Sequence, residues 1–169
     1  SQLYFHDPRK FGVIWYGSSK KVFSDNYFKT LGPDALLTRK PVFLLRFKCR
    51  RGGIKALLLN QKFIAGAGNI IADEALWQAK IHPQKKAESI KDSEVKKLYS
   101  ALQMVLKRSI KAQGTSLRDW GHPDGTAGSA QNHLCVYGRV GQPCPRCGAV
   151  IKYARVAGRG TSFCLKCQL

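Results

Sequence analysis

Acidic side chains are scarce in this chain of 169 residues: Asp and Glu together number 10, against 29 Lys and Arg. The formal net charge at pH 7 is therefore +19. Charge of one sign at this density repels itself in a compact fold unless a polyanionic partner offsets it. Nucleic acid is the first candidate, because binding it releases condensed counterions, and an anionic membrane surface is the second.

Long apolar runs and leader patterns are also missing from the sequence. No stretch approaches the ~18 consecutive apolar residues of a membrane-spanning helix, and the basic residues are dispersed rather than gathered into one tract. With no secretory signal pattern, a cytoplasmic protein without a membrane partner is expected. The chain opens on an apolar, strand-like segment with nothing to pair with, so we expect it to be a piece of a longer protein.

Hydrophobic periodicity predicts a mainly α-helical chain. Apolar residues recur at three- and four-residue steps over residues 35–112. A long helix is predicted from Asp92 to Ala112, with Ser93 as its cap and Gly114 as its end. Its predicted apolar stripe comprises Val95, Leu98, Ala101, Leu102, Val105 and Leu106.

The remaining segments carry strand and loop patterns. Short strands are predicted at Leu3–Phe5, Val13–Tyr16 and Leu134–Tyr137. Residues 18–34 are predicted to form a surface connection. Residues 114–133 contain four glycines and few apolar residues, which is typical of a long functional or disordered loop.

Four cysteines near the C-terminus have the spacing CxxC–x16–CxxC: Cys144, Cys147, Cys164 and Cys167. A two-residue spacer lets both thiolates of a pair reach one tetrahedral ion, and the segment between the pairs has the pattern of a β-hairpin. Two disulfides are disfavoured without a secretion signal, and a redox site needs only one CxxC. We predict one structural Zn²⁺, because four thiolates leave no open position for a substrate. Cys49 and Cys135 are expected to be apolar fillers rather than ligands.

Two glycine-flanked features are candidates for contacting a phosphate backbone. The predicted hairpin tip is Gly158-Arg159-Gly160, where glycines allow close approach. The alternative for Arg159 is a solvated turn residue. A second glycine turn, Gly66-Ala67-Gly68, is predicted to separate a helix ending near Lys62 from one capped by Asn69 and running to about Ala79. Free N–H groups at such a helix start bind anions, although many helix pairs use glycine only for packing.

The residues around this second turn resemble the helix–two-turns–helix motif of the formamidopyrimidine-DNA glycosylases. The resemblance covers nearly the whole chain, and its motifs occur in the order of that family. They are Gly66–Leu76, Ile81-His82-Pro83, Gly114–Asp119, Val136–Arg139, the cysteine cluster through Gln168, and Asp7–Gly12, which resembles the end of that family's N-terminal β-sandwich.

The resemblance implies a fold and a division of the chain. The fold is mainly α with a β-hairpin zinc finger, a helix–two-turns–helix domain, and remnant strands of an N-terminal β-sandwich. Residues 1–32 would be that remnant with a linker. Residues 33–134 would be the helical DNA-binding domain, including a lesion loop at 114–133. Residues 135–169 would be the zinc finger.

The resemblance also implies roles for individual residues. Arg9 and Phe11 match residues that fill the gap left by an everted nucleotide, although Phe11 on its own fits a core strand residue equally well. The loop at 114–133 matches the segment that closes over the flipped base.

Phosphate contacts around the lesion are implied for a second group of residues. Arg50, Lys55 and Asn69 match these positions, with Gly68 offering main-chain donors, and the alternative for them is an exposed basic helix face. Arg159 matches a finger arginine that contacts phosphate and acts as proton donor in δ-elimination.

Two departures from the family limit this assignment. The family attacks the sugar with the amine of an N-terminal proline, and no such group exists here, because Pro8 is internal and has no free amine. The loop also lacks an aromatic residue ahead of Gln131. The resemblance still implies that the full protein is a monomeric glycosylase and lyase acting on duplex DNA with an oxidised purine or abasic site.

This chain alone is expected to be inactive. The alternatives are a non-catalytic DNA-binding module and a zinc-ribbon protein-interaction domain. The zinc-ribbon hypothesis explains neither the Gly66–Gly68 turn nor the net charge of +19.

Overall fold

The computed structural model describes residues 4–5, 7, 10, 12–48, 50–116 and 126–169. They divide into two compact units, Ser1–Leu31 and Gly32–Leu169. The α-helices are α1 (Ser19–Phe23), α2 (Asn26–Thr30), α3 (Lys40–Phe47), α4 (Ile54–Leu59), α5 (Asn69–Ala79) and α6 (Asp92–Lys111), and the strands are β1 (Lys152–Val156) and β2 (Arg159–Phe163). Short 3₁₀ turns lie at Ala87–Ser89 and Ala130–His133. The predicted mainly helical fold with a C-terminal hairpin is confirmed.

The first unit differs from the prediction for its sequence. Residues 18–34 contain α1 and α2 rather than a plain connection, because Ser18 and Asp25 each accept a backbone N–H as an N-cap. The predicted strand Val13–Tyr16 is wrong, since these residues form no ladder with any described segment and Tyr16 is 97% exposed. A strand is defined by its partner, which local alternation does not supply.

The second unit is built around α5 and α6, which pack against each other with α3 and α4 beside them. Phe43 lies at its aromatic centre, with ring centroids 5.7 Å from Phe63 and 5.5 Å from Tyr99. Each fully buried side chain of this size stabilises the fold by about 1.5–3 kcal/mol. The other members of this core include Ile54, Leu58, Ile64, Ala72, Ala75, Leu76 and Ile81.

Helix α6 confirms the predicted periodicity, because its buried residues are the six of the predicted stripe. Gly114, at φ +80°, ends it by donating its N–H to the Ser109 carbonyl at 2.9 Å. The predicted cap is wrong: Ser93 lies inside the first turn and the N-cap position is Lys91, whose N–H donates to the Glu94 carboxylate at 2.9 Å. An acid at the third helical position can satisfy the helix start without a hydroxyl cap.

The hairpin is antiparallel, with Val156 opposite Arg159. Its turn is the pair Ala157-Gly158, both at positive φ, which is typical of a tight two-residue turn. The predicted Gly158-Arg159-Gly160 tip is therefore shifted, and Arg159 is the first residue of β2.

The segment Leu134–Tyr137 is not the predicted strand. The Glu74 carboxylate accepts the backbone N–H groups of Cys135, Val136 and Tyr137 at 2.9–3.0 Å. One side chain therefore satisfies three donors that a strand would have given to a neighbouring strand. No described helix is both long and apolar enough to cross a bilayer.

Candidate nucleic-acid interface

The glycine turn presents the start of α5 to solvent. Gly66 adopts φ +90°, a conformation that favours glycine, and the Gln61 side chain accepts its N–H and donates to the Ala67 carbonyl. Gly68, not Asn69, is the N-cap, and no side chain caps the helix, so the predicted cap is wrong. The N–H groups of the first turn consequently have no intrahelical acceptor, and no acidic residue lies there.

No contact with the described residues requires a glycine at position 68. Its φ of −92° is open to any residue, and a Cβ at this position would meet nothing within 4 Å. The space that a side chain would fill lies outside the protein. This arrangement suits a ligand that approaches the backbone closely.

Lys55 lies beneath this turn and is completely buried. Its ammonium contacts three acceptors: Asp73 Oδ1 at 2.5 Å, Thr161 Oγ1 at 2.6 Å and the Gly160 carbonyl at 3.3 Å. These acceptors use all three of its protons. The alternative of an exposed basic helix face is therefore wrong for Lys55.

Asp73 is the counter-ion of Lys55, and it is not among the predicted site residues. Its second oxygen accepts the Ser162 N–H at 3.1 Å, so this carboxylate joins α5 to both α4 and β2. Burial raises the pKa of Asp73 to about 6, and the Lys55 contact opposes that shift. Burial likewise lowers the pKa of Lys55, with Asp73 opposing and the nearby Arg159 charge contributing.

Asn69 brings the helix start and the hairpin together. Its Nδ2 donates to the Gly160 carbonyl at 3.0 Å, the same oxygen that Lys55 contacts. Its Oδ1 is buried without a hydrogen-bond partner among the described residues. Arg159 is exposed next to this junction, and its charge acts on Lys55. The structure therefore places four of the predicted residues, Gly68, Asn69, Lys55 and Arg159, in one cluster.

The other predicted contact residues are not brought to this cluster. Arg50 is exposed after α3, where its Nε donates to the Arg46 carbonyl at 2.9 Å and its guanidinium lies 5.7 Å from the Phe63 ring centre. Arg9 and Phe11 lie outside the described residues, as do Cys49 and residues 117–125 of the predicted lesion loop.

The two ends of that loop are pinned to each other. Thr115 pairs with Ser129, and Gln131 Oε1 accepts the Ser116 N–H at 3.2 Å. Gly128 packs so closely that a Cβ there would lie 2.2 Å from the Gly114 carbonyl oxygen. The two ends of the loop therefore lie side by side, and their close packing requires glycine at position 128.

The four spaced cysteines form the predicted metal site. Their sulfur atoms all lie within 4.8 Å of one another, with Cys144 and Cys167 at 3.9 Å and Cys147 and Cys164 at 3.5 Å. Tetrahedral zinc with Zn–S of about 2.3 Å needs sulfurs about 3.8 Å apart, so these distances fit one ion. Cys135 is not part of the cluster. Four thiolates with the predicted spacing make this a structural zinc site.

The finger is fastened to the helices by buried polar groups that the sequence prediction missed. Gln168 accepts the Cys164 N–H and donates to the Ile81 carbonyl, both at 2.9 Å. On α5, the consecutive acids Asp73 and Glu74 hold β2 and the 135–137 segment. The available signal was their placement, since a chain with only ten acids has two adjacent ones on a helix that has no other charged residue.

Comparison with known proteins identifies this arrangement. Residues 31–120 match the Formamidopyrimidine-DNA glycosylase H2TH domain, and residues 141–169 match the zinc finger found in FPG and IleRS. The first match alone covers more than half of the chain. This chain belongs to the formamidopyrimidine-DNA glycosylase family. The resemblance noted in the sequence is thus confirmed over the helical region and the finger.

Individual members of the glycosylase family agree with the match. The chain is 44% identical over 168 residues to the formamidopyrimidine-DNA glycosylase of Nitratidesulfovibrio vulgaris, covering 99% of this chain and 46% of that protein. The crystal structure of MutM (Fpg) from Thermus thermophilus superposes with a TM-score of 0.87 at 41% identity, covering 98% of this chain and 64% of the other.

A complex of Lactococcus lactis Fpg with DNA containing an abasic site gives a TM-score of 0.80 at 38% identity, covering 89% of this chain and 56% of that one. The chain thus spans about half to two thirds of the length of the relatives it matches.

Proposed function

We propose that this chain is the DNA-binding part of a base-excision repair glycosylase and lyase that removes oxidised purines from duplex DNA. The observation that carries this proposal is the uncapped start of α5, where the glycine at position 68 leaves open space beside Asn69 and Arg159. The net charge of +19 and the DNA complexes of similar proteins support it.

Each side chain of the cluster has a proposed role. The N–H groups of the first turn of α5 and the Asn69 amide hold one backbone phosphate, and Arg159 holds the phosphate beside it. Because Lys55 has three internal acceptors, we propose that it acts as a positioning residue, holding the Gly160 carbonyl and Thr161 so that Arg159 points outward.

Arg50 contacts the duplex further along its backbone. Arg9 and Phe11 keep the roles that the resemblance implies. The three-part division at residues 32 and 134 belongs to the same proposal.

Strand cleavage in the full protein would follow from an amine outside this chain. Displacement of the damaged base by the N-terminal proline amine forms a Schiff base at the sugar, and successive eliminations then break the backbone on both sides. Arg159, positioned at the phosphate, would donate the proton in the second elimination. We infer that the protein works as a monomer on chromosomal DNA in the bacterial cytoplasm.

Binding of the 169-residue chain to a duplex with a tetrahydrofuran abasic analogue tests the proposal. Fluorescence anisotropy at several salt concentrations should give a steep salt dependence, since each neutralised phosphate contributes about −0.9 to the slope of log K against log salt. Arg159→Gln should weaken binding about tenfold and reduce this slope by about 1.

Lys107→Gln, on the exposed face of α6, removes an equal charge away from the cluster and serves as the control. An equal loss in both variants would contradict the proposed site, because it would mean that only net charge matters. The chain should bind without cleaving an abasic strand. The full-length protein should form a borohydride-trapped complex with oxidised DNA, and failure to trap one would refute the enzymatic assignment.

A further inference from the structure

Backbone N–H groups lie close to one cysteine sulfur in each zinc knuckle of the finger. The Cys144 sulfur is approached by the backbone N–H groups of Arg146 and Cys147, and the Cys164 sulfur by those of Lys166 and Cys167. Two backbone donors per knuckle come from the CxxC turn itself. Burial raises the pKa of the Cys144 thiol, and the backbone donors together with the indole of Trp77, near the end of α5, lower it.

The Trp77 indole N–H has no hydrogen-bond acceptor among the described residues. Its Nε1 is buried, and the ring is 6% exposed in a small apolar cluster with Cys144, Ile151 and Cys164. A buried donor without an acceptor costs about 1–3 kcal/mol, so a native fold rarely leaves one. The indole shares its cluster with Cys144, so a metal-bound thiolate at that position is the acceptor available to it.

Arg146 packs against the face of the Trp77 ring. It occupies the spacer between Cys144 and Cys147, and its guanidinium lies 3.8 Å from the centre of the Trp77 ring. The same guanidinium donates to the Trp77 carbonyl at 2.9 Å. A cation over the ring face draws electron density from the indole and makes its N–H a stronger donor. The first knuckle is therefore fastened to α5 through the guanidinium of Arg146.

We propose that Trp77 is a positioning residue of the metal site, whose indole N–H donates a hydrogen bond to the Cys144 thiolate when zinc is bound. Four thiolates and one Zn²⁺ carry a net charge of −2, and a donor to the thiolate stabilises that charge. The bond also ties metal occupancy to α5. This inference concerns the metal site alone and does not depend on the proposed function.

Substitution of ¹¹³Cd for zinc gives a direct test on the unaltered chain. A hydrogen bond from the indole to a metal-bound sulfur transmits a scalar coupling between ¹¹³Cd and the indole proton, which mere packing does not. The chain has three tryptophans, and one indole proton, absent from the spectrum of Trp77→Phe, should show the coupling. If that proton is resolved and shows no coupling, the proposal is wrong.

Metal affinity provides the second readout. Trp77→Phe should raise the zinc Kd about tenfold, in line with the effect of losing an outer-shell partner. Replacing Trp77 by β-(3-benzothienyl)alanine, which has the same shape with sulfur in place of N–H, should give the same increase. Trp15→Phe, at a partly exposed indole in the first unit, should leave the Kd unchanged. A benzothienyl variant within twofold of the native Kd would assign Trp77 to packing only.

Discussion

Replacing the buried Glu74 by Gln should destabilise the second unit more than the same replacement at an exposed glutamate. The Glu74 side chain is 1% exposed and accepts three backbone N–H groups, with Arg108 Nη2 3.7 Å away. A glutamine has the same shape, but its amide nitrogen is a donor and faces donors. At least one N–H of the 135–137 segment then loses its acceptor, which costs about 1–3 kcal/mol.

The lost charge adds to that cost. Hydrogen bonds to charged groups contribute about 1.5–3 kcal/mol each, part of which is offset because a buried carboxylate no longer has to be desolvated. The net expectation for Glu74→Gln is a loss of about 3 kcal/mol in the free energy of unfolding. Glu88→Gln is the matched control, because Glu88 is exposed and accepts one backbone N–H, from Gly52 at 3.0 Å. Its loss should stay below about 1 kcal/mol.

Urea unfolding followed by circular dichroism at pH 7, with zinc in excess, measures both losses. Amide hydrogen exchange at residues 135–137 supplies an independent reading of the same carboxylate. These amides should be protected although they lie in no helix or strand, and Glu74→Gln should speed their exchange about 100-fold. Native amides that exchange at unprotected rates, or a Glu74→Gln variant within 0.5 kcal/mol of the control, would refute the reasoning (a threshold of roughly the usual error in such measurements).

Three further outcomes are expected. Removing zinc with a chelator should unfold the hairpin, seen as lost amide dispersion, because metal binding supplies about 10 kcal/mol or more in fingers of this kind. The ¹³C signal of the Asp73 carboxyl should titrate near pH 6. Because burial raises the pKa of Asp73 from 3.8 to about 6, the folded state binds this proton more tightly than the unfolded state does, and the contribution of Asp73 to stability falls as the pH rises from 3.8 through 6. A titration midpoint below pH 4 would contradict the burial argument. Gly128→Ala should lower the free energy of unfolding by about 1–3 kcal/mol in a thermal melt, because the added Cβ meets backbone atoms. Gly53→Ala, where a Cβ meets open space, should lower it by only about a few tenths of a kcal/mol, and equal losses would show that the backbone around Gly128 is not tightly packed.

The features that were predictable from the sequence depend on short-range chemistry. The stripe of α6 follows from the 3.6-residue period, and the metal site follows from the two-residue spacers of the cysteine pairs. The errors at the starts of α5 and α6 concern local capping, whereas the failure at residues 134–137 is a case in which a partner distant in the chain decides the structure. Leu134–Tyr137 has a strand-like composition, yet its donors belong to Glu74, 60 or more residues earlier.

The same reason limits what could be said about the candidate site. Asn69 and Arg159 are indicated by their glycine-flanked turns and Lys55 by the resemblance, but Lys55 is enclosed by groups up to 106 positions away in the chain. No local pattern marks Thr161 as a partner of a lysine on α4. Asp73 could have been suspected only as a charge on an apolar helix, and its partner could not.

Helix α5 explains how the zinc site can support the proposed phosphate site, which contains no cysteine. The helix has 11 residues and is about 16 Å long. The zinc finger contacts this helix at three levels: the Gly160 carbonyl at Asn69, the Ser162 N–H at Asp73, and the first knuckle at Trp77. Three separated contacts fix both position and direction of one element on another, whereas a single contact would leave it free to pivot. The metal holds the knuckles together, the knuckles hold the far end of α5, and Arg159 is thereby kept beside the open end.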